Sequence, residues 1–205
     1  MRLYPILDEE FCQKNSIDPI QLLEFWFSKP EYVRFVQYRA KNINEKDYGK
    51  KLGSFLKHFP KEKFIINDHW KVGEELGAYG IHLGKEDFLS FTEKERERFF
   101  ASSLLKGTSS HSLEDLEIIK KYPWDYTGYG PIFPTTSKKT ENKVIGIEGL
   151  RKAIKNTEIT LVAIGGIDET NAIEIYNTTN VVIASISLFS SIDKFSKLIE
   201  LIKKT

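Results

Sequence analysis

Short apolar runs rich in β-branched and aromatic residues recur along the chain at intervals of roughly 20 to 30 residues, and the stretches between them carry apolar side chains at helical spacing. The runs predict strands over 3–7, 33–38, 63–67, 79–83, 101–106, 125–129, 160–164 and 180–184. Helices are predicted over 19–27, 45–58, 70–76, 93–99, 113–121, 148–155, 169–177 and 193–203. Ser112 before Leu113-Glu114-Asp115-Leu116 and Asp193 before the last periodic run have the side chains of N-caps. Two strands are poorly patterned: Ala101-Ser102-Ser103-Leu104-Leu105 lacks alternation, and Pro5 removes a ladder hydrogen bond from the first.

Strict alternation of strand and helix with right-handed crossovers gives a parallel sheet covered by helices, and eight such units are what a closed (β/α)8 TIM barrel needs. The 205 residues stand at the lower limit of about 200 for that fold. With no repeat or linker, the expectation is one α/β domain over 1–205, an open doubly wound sheet being the alternative. Composition agrees with a folded chain, 40% hydrophobic and 29% charged. Thirty basic against 29 acidic residues leave a net charge of +1, which argues against a nucleic-acid partner. No apolar stretch nears the roughly 20 residues of a membrane span, and the first residues reach Asp8 too soon for a signal peptide. The expected location is the cytoplasm; a homo-oligomer is left open. Cys12, the single cysteine, excludes an internal disulfide and reads as an inert small residue.

In such a barrel the chemistry sits at the carboxyl ends of the strands. Those ends are Gln37, Arg39 and Lys41 after strand two; Asn67-Asp68 after three; Gly84-Lys85-Glu86-Asp87 after four; Ser109-Ser110-His111 after five; Thr135 to Lys139 after six; Gly165-Gly166 after seven; and Ala184-Ser185 at eight. Glycines after strand seven let backbone N–H groups approach an anion, so Gly165, Gly166, Ala184 and Ser185, with the hydroxyls of Thr135 and Ser137, predict a phosphate monoester site. Asp68 and Asp87 close neighbouring strands. Singly each could cap a local turn or helix, Asp68 the helix near Trp70 and Asp87 a turn before Phe88. As a pair facing Arg39, Lys41 and Lys138 they suit Mg2+, which is held by one or two carboxylates and completed by water and phosphate oxygens. His82 reads as a packed histidine, His111 equally as loop structure or substrate contact.

Five segments together resemble thiamine phosphate synthase, and the resemblance runs from Leu3 to about Ser191. They are Gln37-Tyr38-Arg39-Ala40-Lys41, Phe64-Ile65-Ile66-Asn67-Asp68, Gly80 to Asp87, Gly130-Pro131-Ile132-Phe133-Pro134-Thr135-Thr136-Ser137-Lys138, and Val162-Ala163-Ile164-Gly165-Gly166-Ile167, in the family's order and spacing. The resemblance implies a magnesium-dependent transfer in which a pyrimidine methyl diphosphate loses pyrophosphate and the nitrogen of a thiazole phosphate bonds to the exposed methylene carbon. It implies Asp68 and Asp87 as Mg2+ ligands, and Arg39, Lys41, Asn67 and Lys138 as holders of the pyrophosphate. Gln37 and Ser109 would contact the pyrimidine or its diphosphate, and Thr135, Ser137, Gly166 and Ser185 the thiazole phosphate. Arg39, Lys41, Ser109 and Lys138 are the expected catalytic contributors, and no general base is nominated.

The chain departs from the family pattern at Lys85, where glutamine is usual, at Gly73, where alanine is customary, at Ser28-Lys29-Pro30, and at Pro5. Two rival functions share the scaffold. One is a thiazole tautomerase-like isomerase, acting without metal through a histidine at the position of His111. The other is a silent regulator that binds thiazole phosphate or thiamine phosphate.

Overall fold

A strand buried on both faces must be apolar on both, and the alternation along the chain shows how these strands meet that condition. Leu3 and Leu7 of the first strand, and Phe64 and Ile66 of the third, face an outer layer of helices, whereas Tyr4, Ile6 and Ile65 face inward and meet Tyr126, Val162 and Ala184 from other strands. The computed structural model describes residues 3–135 and 142–204. In it the chain runs β1 (Leu3–Asp8), α1 (Glu9–Lys14), α2 (Pro19–Phe27), β2 (Val36–Arg39), α3 (Glu45–His58), β3 (Phe64–Asn67), α4 (Trp70–Leu76), β4 (Gly80–His82), α5 (Lys85–Leu89) and α6 (Glu93–Ala101). It continues β5 (Leu105–Ser110), α7 (Leu113–Ile119), β6 (Tyr126–Tyr129), α8 (Gly146–Asn156), β7 (Thr160–Ala163), α9 (Ala172–Thr178), β8 (Val182–Ser185) and α10 (Ile192–Lys203).

All strand pairs are parallel, each strand pairs with its sequence neighbour, and β8 returns to β1 to close the barrel. Closure leaves no sheet edge, so the polar carboxyl ends of all strands gather on one rim. The closed (β/α)8 expectation therefore holds and the open doubly wound sheet does not. Pro5 stays inside β1, in register with Ser185 of β8. Gly73 has a packing reason: a Cβ there would lie 2.4 Å from Cδ1 of Ile66, so the space of a methyl on α4 is filled from β3.

Several boundaries differ from expectation. The fifth strand is not 101–106; Ala101 ends α6, and the strand is Leu105–Ser110, so Ser109 and Ser110 belong to it and do not follow it. The second starts at Val36, Val33 contributing only an isolated bridge to Leu3. Two short helices were not expected. Asp8 N-caps α1 by accepting from the Phe11 N–H at 2.9 Å, and α5 takes in Asp87. Ser112 caps α7 as expected, but Ser191, not Asp193, caps α10; Asp193 lies in the first turn, where a negative charge suits the helix dipole. Cys12 is buried, and its thiol is pushed up to about 12, chiefly by burial with Glu9 and Asp8 adding to it, which keeps it unreactive. No helix among the described residues is long and apolar enough to cross a membrane.

Candidate active site

A cavity of about 170 Å³ opens at the carboxyl ends of the strands. Its lining includes Gln37, Arg39, Lys41, Asn67, Asp68, Ser109, His111, Thr135, Gly165, Gly166, Ala184 and Ser185, residues drawn from six separate strand ends. Asp87 does not line it. Asp87 borders an adjoining hollow whose wall also includes Asp68 and Lys41. Ser137 and Lys138 lie outside the described residues. Tyr4, His82, Tyr126, Ile186 and Ser187 also line the cavity; in the sequence the two tyrosines read as strand core and His82 as a packed histidine, and no motif marks Ile186 or Ser187.

At one end the cavity is ionic. Arg39 pairs with Asp8, which stands directly beside it in the β1–β2 register. The Asp8 side chain is 6% exposed, so it fixes the guanidinium from below while the fork keeps further N–H groups for an anion. Lys41 Nζ lies 3.4 Å from Asp68 Oδ2. Asp68 has φ +66, a left-handed conformation that costs an ordinary residue about 1 kcal/mol, and its N–H extends the sheet by donating to the His82 carbonyl at 3.0 Å. It does not cap α4; His69 occupies that position without a side-chain cap bond. A Cβ on Gly84 would meet Asp87 Oδ2 at 2.8 Å, so glycine makes room for that carboxylate at the start of α5.

These donors define what cation could be held. Among the described residues no group of three or more His, Cys, Asp or Glu gathers as a metal cage. Two hard carboxylates on one hollow, with a lysine beside them, fit a divalent ion that draws its remaining oxygens from water and phosphate.

The opposite end is built from backbone. Gly165 and Gly166 have φ +94 and +67, and a Cβ on Gly166 would fall 2.4 Å from the Pro134 carbonyl oxygen and 2.5 Å from that of Phe133. Phe133 N–H donates to the Gly165 carbonyl at 3.0 Å, and Asn171 Nδ2 to the Gly166 carbonyl at 2.9 Å, so the loop after β7 is clamped on both sides. The Ser185 hydroxyl donates to the Ile167 carbonyl at 3.1 Å and accepts from Leu188 N–H at 3.2 Å. Its side chain thus ties the loop after β8 to the loop after β7.

Lys85 adds no bare charge to the rim. Its Nζ lies 2.6 Å from Asp115 Oδ1, with the two side chains 16% and 12% exposed. The other carboxylate oxygen of Asp115 accepts from the backbone N–H of His111 at 2.7 Å. The ion pair therefore fastens α5, which carries Asp87, to α7, and the same carboxylate holds the β5–α7 loop at His111. The His111 ring is held too, its Nδ1 2.6 Å from the Gly130 carbonyl oxygen. A ring nitrogen facing a carbonyl must carry the proton, so in neutral His111 it is Nε2 that is left without one.

A closed parallel barrel whose strand ends bring cations, Asp68 and a glycine-lined backbone cradle to one cavity, with Asp87 on the hollow beside it, is a (β/α)8 enzyme with its working face in the usual place. Comparison with known proteins narrows this. The thiamine monophosphate synthase family matches residues 3–189. The thiamine-phosphate synthase of Archaeoglobus fulgidus is 32% identical over 211 residues, covering 100% of this chain and 94% of that protein. That of Pyrococcus furiosus is 35% identical over 172 residues, covering 82% and 80%. A solved thiamine phosphate pyrophosphorylase from Pyrococcus furiosus superimposes with a TM-score of 0.75 at 29% identity, over 99% of this chain and 96% of that one. The chain belongs to the thiamine monophosphate synthase family and is an enzyme of the transferase class.

Proposed function

We propose that the enzyme joins a pyrimidine methyl diphosphate to a thiazole phosphate, giving thiamine phosphate and pyrophosphate, with Mg2+ as cofactor. The observation that carries this reading is the continuity of the cavity, which runs from Arg39, Lys41 and Asp68 to Gly165 and Gly166. A diphosphate at the first end and a phosphate monoester at the second would lie on either side of one reacting centre. The magnesium ion would be held by Asp68 and Asp87, and when bound it supplies charge neutralisation to the leaving diphosphate.

The chain's own residues account for the rest of the chemistry. The C–O bond of the pyrimidine methylene breaks with its electron pair passing to the diphosphate, and the lone pair of the thiazole nitrogen forms the new C–N bond. Arg39, braced by Asp8, and Lys41 meet the negative charge that develops on the diphosphate oxygens. Asn67, 6% exposed at the end of β3, adds a neutral amide beside them. The loop after β7 fixes the thiazole phosphate through backbone, so the nucleophilic nitrogen is oriented before bond cleavage. Apolar lining from Ile6, Val162 and Ile164 keeps water from a methylene carbon carrying cationic character. No proton need leave in this step, which is why no general base is required. Lys138 and Ser137, outside the described residues, would extend the diphosphate and phosphate contacts.

Asp68→Ala is the test of the division of labour. Turnover should fall by at least a hundredfold, about 3 kcal/mol of transition-state stabilisation, while thiazole phosphate measured by calorimetric titration binds within a few-fold of the parent protein. Parallel loss of turnover and of thiazole phosphate binding would overturn the assignment of Asp68 to the diphosphate end.

A further inference from the structure

Across the floor of the cavity, side chains from five strands are joined in one hydrogen-bonded line. Gln37 Nε2 donates to the Tyr4 hydroxyl at 2.9 Å, the Tyr4 and Tyr126 hydroxyls are 2.9 Å apart, Tyr126 lies 3.2 Å from His82 Nδ1, and His82 Nε2 lies 2.9 Å from Ser109 Oγ. All five side chains line the cavity. The line depends on a glycine: His82, Gly107 and Tyr126 are in register on β4, β5 and β6, and a Cβ on Gly107 would fall 2.0 Å from Cζ of Tyr126. The missing side chain is the space through which the Tyr126 ring reaches His82.

The line has a direction. Tyr4 and Tyr126 are 1% and 5% exposed, and burial raises both hydroxyls far above their ordinary titration range, so each keeps its proton and must donate it. Tyr4 already accepts from Gln37, and among the described residues the Tyr126 oxygen is the acceptor it reaches. Tyr126 must then donate onward to His82 Nδ1. A neutral imidazole carries one proton, so that proton is on Nε2 and is donated to Ser109, whose own O–H is released toward the cavity.

We infer that Tyr4 and Tyr126 are positioning residues that fix His82 as its Nε2–H tautomer, so that Ser109 donates to the bound substrate and the Gln37 amide oxygen accepts from it. The cavity floor thereby selects a ring that offers an acceptor on the Ser109 side and a donor on the Gln37 side. The assignment deepens the transferase reading and rests on it for the identity of the ring, but the proton positions stand on the geometry alone.

Nitrogen NMR on substrate-free protein labelled at its histidines tests this without any turnover. The chain has 4 histidines, and His82→Gln identifies the resonances of interest by their loss. In the parent protein at mildly alkaline pH, His82 should carry its proton on Nε2. In Tyr126→Phe, which cannot donate to Nδ1, the population should shift toward the Nδ1–H form, and Gly107→Ala, which displaces the same ring, should shift it likewise. Tyr126→Phe should also lower kcat about tenfold with the KM for thiazole phosphate unchanged. An Nδ1–H tautomer in the parent protein overturns the inference whether or not the variants fold, and so does an unchanged tautomer in a folded Tyr126→Phe. A correct tautomer in a protein that makes no thiamine phosphate would instead count against the proposed reaction and leave the polarity of the line standing.

Discussion

At Gly166 two independent constraints exclude every other residue: a φ of +67 and carbonyl oxygens 2.4 and 2.5 Å from where a Cβ would sit. Gly166→Ala should therefore open the loop after β7, weakening thiazole phosphate binding by at least tenfold; titration calorimetry giving parental affinity would refute a backbone cradle there. Lys85 and Asp115 make a second prediction at this scale. Each of Lys85→Gln and Asp115→Asn should cost about 1–2 kcal/mol in urea unfolding, since each strands a largely buried partner. The double variant should cost clearly less than the sum, and strict additivity would show that the pair fastens nothing. Sequence alone made the glycines and the two acids legible, because residue type and position after a strand carry that information. It could not make Asp8 legible as the brace of Arg39, because the pairing is set by the β1–β2 register across 31 positions of chain. Nor could it show that Lys85 is neutralised, since Asp115 lies 30 positions away.

At the scale of elements, the strands with apolar residues on both faces were legible and β5 was not. Lys106-Gly107-Thr108-Ser109-Ser110 has no apolar alternation because its positions serve other ends: Gly107 accommodates Tyr126, Ser109 faces the cavity, and Ser110 bonds the Thr127 hydroxyl at 2.9 Å. A functional strand thus hides from a hydrophobic pattern. α5 escaped for a simpler reason, being a five-residue helix with only Phe88 buried. The β7–α9 connection offers a test of how loops are held here. Asp168 Oδ1 accepts from Thr170 Oγ1 at 2.6 Å, Thr170 N–H at 2.9 Å and Asn171 N–H at 3.0 Å. These bonds, the Thr170 hydroxyl foremost, hold its carboxyl below the ordinary 3.8. A carboxyl depressed on folding contributes its stability above its unfolded pKa and loses it as the pH falls through the lower folded value. Asp168→Ala should accordingly cost about 1 kcal/mol at neutral pH, in the range of a lost cap, and the difference from the parent should shrink as the pH falls below the ordinary carboxylate range. A difference that persists unchanged into acid would mean the carboxylate charge is irrelevant.

For the whole molecule, barrel closure does what no local motif can. It draws residues from positions 4 to 187 onto one cavity, with the ionic groups of β2 and β3 facing the backbone cradle after β7. The rim order was legible because strand and helix alternate so regularly, whereas the floor was not, since Tyr4 and Tyr126 meet only once the sheet is closed. Closure also leaves Asp68 shared between the cavity and the hollow that Asp87 borders, the arrangement on which the proposed cation and diphosphate depend. The most direct measurement is to supply purified protein with pyrimidine methyl diphosphate and thiazole phosphate and quantify thiamine phosphate and pyrophosphate, with Mg2+ and again after chelation. Equimolar formation of both products that stops when Mg2+ is removed is the result expected. Absence of product with Mg2+ present, isomerisation of the thiazole alone in chelator, or synthesis indifferent to chelation would contradict the account.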